Sequence, residues 1–561
     1  MAEEIGALAA EYWDFKLRTG PTWAHLVGDY RHAGEFERVS RAAEDAEIAE
    51  SREFERRAAA LDPERLGTQD RITRDLLGFD ASATADYAAT RLIEVAVDPV
   101  SGPQASLPVT LPRLTIPDDV VAEAMLSKLE GIARMFRDLG DRHRDGLTRG
   151  WAAPRFAVDA TTRQIDEWLA RPLDTDPILE SLRPRLVRDG RADRARAIIE
   201  REVRPALAAY GAVLRDEVAP VARPDERPGL AWLPGGDEAY AAAIRLFTTR
   251  DRSPEEVHRI GLEQVARLAD EYRQLGREAL GTDDLETILE SLRSDPALHH
   301  SDGAEIVTAA EAAMARARAA IPAWFGTLPK ADCGVEETML GPQGFYFPPA
   351  QDGTRGGVFF LNTSDPSVWG RFEIESTAFH EGIPGHHLQG AISSELTGLP
   401  DFRRHVWVTI YGEGWGLYSE RLADEMGLYG TPLDRIGMLA NDSLRACRLV
   451  VDTGLHALGW TRRQAIDYMV RNSPMREGHV RAEVDRYICS PGQALAYMLG
   501  RLEIQRIRAQ AEQALGDGFD IREFHDVVLT SGSVLPETLA NLVDDWVARR
   551  SASRTGTPDA V

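Results

Sequence analysis

Apolar positions recur along most of this chain with the period of an α-helix. After Ser253, residues Val257, Ile260, Val265, Leu268, Tyr272 and Leu275 return at spacings of three to five, forming an apolar stripe on a polar cylinder. Ser253 suits the cap of this helix and Pro254 its first position, and Glu256 is placed to close a capping box back to the Ser253 backbone. Ile306, Ala310, Ala313, Ala317 and Ile321 repeat the pattern over 302–321 and stop at Pro322. The same texture covers roughly 31–80, 119–147, 186–217, 432–472 and 493–516. No fixed repeat emerges, which argues against a solenoid.

Three stretches interrupt it. Asp98 to Asp118 holds Pro99, Pro103, Pro108, Pro112 and Pro117 and reads as an extended connection. Ala219 to Gly236, with four prolines and three glycines, marks a boundary between an N-terminal helical region (1–218) and a second helical region (219–550). Gly344-Phe-Tyr-Phe-Pro348 and Gly357-Val-Phe-Phe-Leu-Asn362 are short aromatic and β-branched runs that predict a small hairpin. The small, polar tail 551–561 is expected to be disordered.

Composition narrows the function. The 561 residues carry 65 Lys+Arg against 90 Asp+Glu, a formal charge of −25, which disfavours a phosphate-backbone partner. Cys333, Cys447 and Cys489 are far apart, so neither a disulfide framework nor a cysteine zinc module is expected. With acid near Met1 and no long apolar run, the expectation is a cytoplasmic protein with no membrane partner.

Chemistry concentrates after the hairpin, in Glu373-Ile-Glu-Ser-Thr-Ala-Phe-His380-Glu381-Gly-Ile-Pro384-Gly385-His386-His387-Leu-Gln389. His380-Glu381 opens a His-Glu-x-x-His zinc motif, but Pro384 stands where the second histidine would be. On a straight helix His387 would share a face with His380 but lie about 10.5 Å along the axis. A break at Pro384-Gly385 would instead carry His386 back toward His380. Spacing leaves the two histidines open. A third ligand is offered by Tyr411-Gly412-Glu413-Gly414-Trp415-Gly416-Leu417-Tyr418-Ser419-Glu420, in which Glu413 and Glu420 share a helix face. Either can ligate while the other supports. Two His and one carboxylate with an open position form a catalytic zinc set, with Glu381 as general base.

These motifs, His-Glu-x-x-Pro-Gly-His-His-Leu-Gln and Tyr-Gly-Glu-Gly-Trp-x-Leu-Tyr-Ser-Glu, resemble the bacterial DUF885 family, grouped with zincin or gluzincin metallopeptidases. Glu11-Tyr12-Trp13, Leu233-Pro-Gly-Gly, the Thr248 to Glu256 segment, Glu483-Val-Asp-Arg486-Tyr487-Ile and Pro491-Gly492-Gln493-Ala-Leu-Ala-Tyr497 extend the resemblance over most of the chain. In the family the first of the adjacent histidines stays when the second is replaced. The resemblance therefore implies His380, His386 and Glu413 around Zn2+. It leaves the substrate unassigned.

The fold expected is mainly α, a long-helix zincin-like metallopeptidase architecture with a small β-hairpin beside the cleft, whose edge an extended peptide can pair with. The function expected is zinc-dependent hydrolysis of a short peptide or an amide-containing small molecule, with Glu381 as base. Arg486 and Tyr487 or Tyr497 would hold an oxyanion or a substrate carboxylate. Three rivals stand beside it: an amide hydrolase or amide-forming enzyme of small-molecule metabolism, a non-haem Fe(II) enzyme, and an inactive metal-bearing binding protein.

Overall fold

A computed structural model describes residues 2–349 and 355–555 and is mainly helical, with one small sheet. No helix in it is long and apolar enough to cross a membrane.

Local signals act largely where the sequence puts them. Pro254–Ala279 starts at the Ser253 cap, whose side chain accepts from the Glu256 N–H at 3.1 Å. The reciprocal half of the capping box is absent. Glu256 instead accepts from Arg252 at 2.9 Å, an ion pair one helical turn apart. In Gly303–Ala320 the expected stripe of Ile306, Ala310, Ala313 and Ala317 is buried. The proline-rich stretch from Asp98 departs from expectation, since Pro103–Thr110 is a helix. Pro103 occupies its first turn, where no N–H is needed, so proline density there starts a helix rather than forbidding one.

The three-stranded sheet comprises β1 (Cys333–Thr338), β2 (Gly344–Phe347) and β3 (Gly357–Asn362), in the order β1-β3-β2. The expected hairpin is its antiparallel half, with Tyr346 opposite Phe359. Alternation along the chain does not predict β1. It pairs parallel to β3 and is largely polar, so only the partner strand defines it. Phe359 and Leu361 enter the core, while Phe345, Phe347 and Phe360 gather under the Arg113 guanidinium, 5.1–5.5 Å from each ring centre.

Two apolar cores divide the molecule, and they do not follow one cut in the sequence. The smaller runs from Val97 to Val218 with Phe36 added. The larger joins Ile5 through Val95 to residues 230–546. The first ninety residues thus pack with the C-terminal half, and Tyr12 meets Phe402 edge to face at 5.1 Å. The final helix, Pro536–Thr555, continues through the start of the expected tail, and residues 556–561 lie outside the described residues.

Six helices carry the site: α1 (Glu373–Glu381), α2 (His386–Glu395), α3 (Thr409–Glu425), α4 (Pro432–His456), α5 (Glu477–Cys489) and α6 (Ala496–Leu515). α4 is buried along most of its length and packs on Pro254–Ala279 and on α1. α3 crosses α6 where Gly414 meets Gly500, and a Cβ at Gly414 would lie 2.6 Å from the Gly500 backbone. Backbones in contact there bring α6 side chains to the residues of α3. Asp442 of α4 ties the crossing electrostatically, accepting from Arg421 of α3 and from Arg501 of α6 at 2.6 Å.

Candidate metal centre

α1 ends at Glu381, a loop follows, and α2 begins at His386. The loop returns so tightly that a Cβ at Gly385 would lie 1.9 Å from the His380 carbonyl oxygen. Trp415 Nε1 and Ser419 Oγ both donate to the Pro384 carbonyl, at 2.9 and 3.3 Å, and pin the loop to α3. His386 is thereby carried back beside His380, their ring centres 4.7 Å apart.

Glu413 completes the group. Its Oε2 lies 3.4 Å from His386 Nε2 and 3.8 Å from His380 Nε2. One ligand atom from each of the three residues falls within 4.8 Å of the others. Among the described residues, no other set of three His, Cys, Asp or Glu side chains does this. Gly416 provides the clearance, because a Cβ there would lie 2.8 Å from His380 Nε2 and 3.0 Å from His386 Cε1. Trp407 fills the space over Gly412 and meets the His386 ring edge to face at 5.5 Å.

Glu420 takes the supporting place. His380 Nδ1–H donates to its Oε1 at 2.8 Å, which turns the Nε2 lone pair toward Glu413. Its Oε2 accepts from Ser376 at 2.5 Å, and Ser376 in turn accepts from Asn441 Nδ2 at 2.8 Å. The donors fit a borderline divalent cation: two imidazoles, one carboxylate, and a second carboxylate holding one ring. Charge points the same way. Burial opposes protonation of His380, yet Glu413 and Glu420 outweigh it and lift that ring to about 9. Burial likewise opposes ionisation of Glu413, and the two histidines still hold it well below the usual carboxylate range. Two carboxylates, Glu413 and Glu420, therefore face these rings. Glu420→Gln, which cannot accept in the same way, is expected to weaken zinc affinity about 10- to 100-fold in a chelator competition. Unchanged affinity would mean that this hydrogen bond does not orient the ligand.

His387 faces elsewhere. Its Nε2–H donates to the Ala331 carbonyl at 3.0 Å and its Nδ1 accepts from Tyr346 OH at 3.1 Å, joining α2 to the sheet. Burial pushes it down to about 4, so it works as a neutral strut.

Glu381 is half-buried and opens, with His380 and His386, onto a cavity of about 1550 Å³ between the two cores. Gln104 and Trp168 line its far side, β2 an edge, and α4–α6 the floor. Of the late-chain residues, Tyr497 and Arg486 reach this cavity, and the Tyr497 ring stacks 6.3 Å from His380. Tyr487 does not. It is fully buried, donates to Glu483 and accepts from Arg448 Nε at 2.8 Å, because the helical turn that exposes Arg486 points its neighbour inward. Asn441, Arg445 and Arg448 of α4 also line the cavity, and sequence reasoning misses them. Their signal is the i, i+4, i+7 spacing of polar residues on an otherwise buried helix.

No curated protein matches the chain. A crystal structure described as the "putative lipoprotein" from Colwellia psychrerythraea is 25% identical, with a TM-score of 0.91 over 98% of this chain and 99% of that one. A second, described as a "putative lipoprotein of unknown function" from Shewanella oneidensis, shares the fold at 18% identity, with a TM-score of 0.73 over 96% of this chain and 99% of that one. The model of the family described as "Bacterial protein of unknown function (DUF885)" matches residues 21–543, and the chain belongs to that family.

Proposed function

We propose that this protein is a zinc-dependent hydrolase of peptide or related amide bonds, with the long-helix architecture of a metallopeptidase. One observation carries the reading: His380, His386 and Glu413 converge at the wall of a large cavity, and Glu381, the residue after His380, lines the same cavity. Zinc held by those three residues supplies Lewis-acid polarisation of a carbonyl and a water whose pKa falls to about 7.

The chain's own groups do the rest. Glu381 takes the proton of the attacking water and returns it to the departing nitrogen, so charge on nucleophile and leaving group is handled by one carboxylate. Glu420 keeps the His380 tautomer fixed throughout. Tyr497, half-buried and stacked on His380, forms part of the cavity wall beside it. β2 is an edge strand on the cavity, and an extended substrate can pair its backbone there. The cavity exceeds the usual range of about 300–1,000 Å³ for small-molecule sites, which favours a peptide of several residues.

Elemental analysis of purified protein, followed by a mass-spectrometric screen of short peptides, tests this. One zinc per chain and cleavage are the expected results. Iron instead would favour the oxygenase chemistry of a two-histidine, one-carboxylate site, and tight peptide binding without cleavage would favour a binding protein. Cytoplasmic residence belongs to the proposal as well, and cell fractionation that finds the protein with membranes would overturn that part.

A further inference from the structure

Beside the candidate metal centre the cavity floor carries an excess of positive charge that hydrolysis itself does not require. Arg445 and Arg448 project from α4 and Arg486 from α5, and all three line the cavity. The acid among them is Glu483, which accepts from Arg448 at 2.7 Å and from Arg486 at 3.1 Å. Glu483 thus meets two of the three guanidiniums, while Arg445 feels the Glu373 carboxylate on the same cavity. Arg448 is nine-tenths buried, yet its Nη1 has no hydrogen-bond partner among the described residues. Arg445 spends one nitrogen on Asn441, at 2.8 Å, and its Nε is likewise buried without a partner. Those two nitrogens are themselves buried, so what the cavity meets is the guanidinium charge that Glu483 only partly offsets, and that charge favours an anion at this wall.

The placement is specific. The Arg448 guanidinium lies 4.5 Å over the Tyr497 ring, and that ring stacks 6.3 Å from His380. The cation is therefore within about 11 Å of the histidine, roughly three residues of extended chain or fewer. The group is also wired to the centre. Arg445 donates to Asn441, Asn441 to Ser376, and Ser376 to Glu420, the carboxylate that holds His380.

We propose that Arg445 and Arg448, braced by Arg486, Glu483 and Tyr487, form a subsite for a carboxylate of the substrate, so that the bond cleaved lies a few residues or fewer from that carboxylate. This rests on the hydrolase reading of the same cavity and adds its substrate class: short peptides or acylated amino acids bearing a free carboxylate, from a C-terminus or from an acidic side chain. A guanidinium pair matches a carboxylate bidentately, and such a charge-assisted contact is about twice as strong as a neutral one.

Retention of peptides by the zinc-loaded Glu381→Gln protein tests the subsite without turnover. Two pools of randomised tripeptides are used, free acids and C-terminal amides, and the retained members are read by mass spectrometry after ultrafiltration. Free acids should be retained about tenfold over amides if the terminus is recognised. Enrichment of Asp- and Glu-containing members in both pools would instead identify the side chain as the source, and both results support the subsite. Arg445→Met should erase the preference at unchanged zinc content, and Arg445→Lys should restore part of it. Arg445 is only half-buried, so its replacement spares the Arg448–Glu483–Tyr487 network if Arg448→Met fails to fold. Equal retention of acids and amides with no acidic enrichment, or retention of neither pool, overturns the proposal. Wild-type turnover is read separately. Selective retention without any cleavage keeps the subsite and ends the hydrolase reading, whereas indiscriminate cleavage and retention does the reverse.

Discussion

Glu381→Gln should leave one zinc per chain in place and lower turnover of any cleaved peptide by about 10²- to 10⁴-fold, the span a positioned general base contributes. The side chain stands at the end of α1, one residue after His380, and lines the same cavity as both histidines. It is not among the three groups whose ligand atoms converge, so its replacement by the isosteric amide removes a proton acceptor and no ligand. Substrate affinity should change little, because the loss is confined to the step in which a proton moves. Activity near wild type at full zinc content would remove Glu381 from the mechanism. Loss of zinc together with activity would make it a ligand instead.

The adjacent histidines should separate just as sharply. His386→Ala removes one of three donors, and the protein is expected to come through dialysis with little zinc and no activity. His387→Ala should keep its zinc and lose stability. The ring bridges Ala331 and Tyr346, and deleting it leaves a cavity and strips one hydrogen bond from α2 to β2 and one to the segment before β1. Together these cost about 2–4 kcal/mol, readable as a lower denaturation midpoint. Elemental analysis beside a denaturant titration distinguishes the two variants. Zinc lost on His387→Ala and kept on His386→Ala would invert the ligand assignment.

Much of the site is legible in the amino-acid sequence. A histidine-glutamate pair, two further histidines and a glutamate between glycines concentrate metal-binding chemistry in a chain with only 13 histidines. Helical period likewise marks the Ser253-capped helix and Gly303–Ala320, since both bury a single stripe. Other features need neighbours that are distant in sequence. The polar strand β1 exists because β3 offers it a ladder. Tyr487 and Arg486 are adjacent, yet one is sealed in the core while the other lines the cavity, and only the packing of α5 against α4 separates them.

By itself, then, the sequence determined the helical class, the hairpin, and the residue types gathered at the candidate centre, because period, turn chemistry and motif spacing are local properties of the chain. Tertiary structure decided which histidine faces Glu413, since that depends on how Pro384 is pinned to Trp415 and Ser419. It also decided that Glu420 supports while Glu413 converges, a choice one shared helix face could not make. The arginines of α4 emerged only there as well. Charges at positions 445 and 448 mean little along a helix, and acquire meaning when α5 and α6 bring them to one wall of a shared cavity.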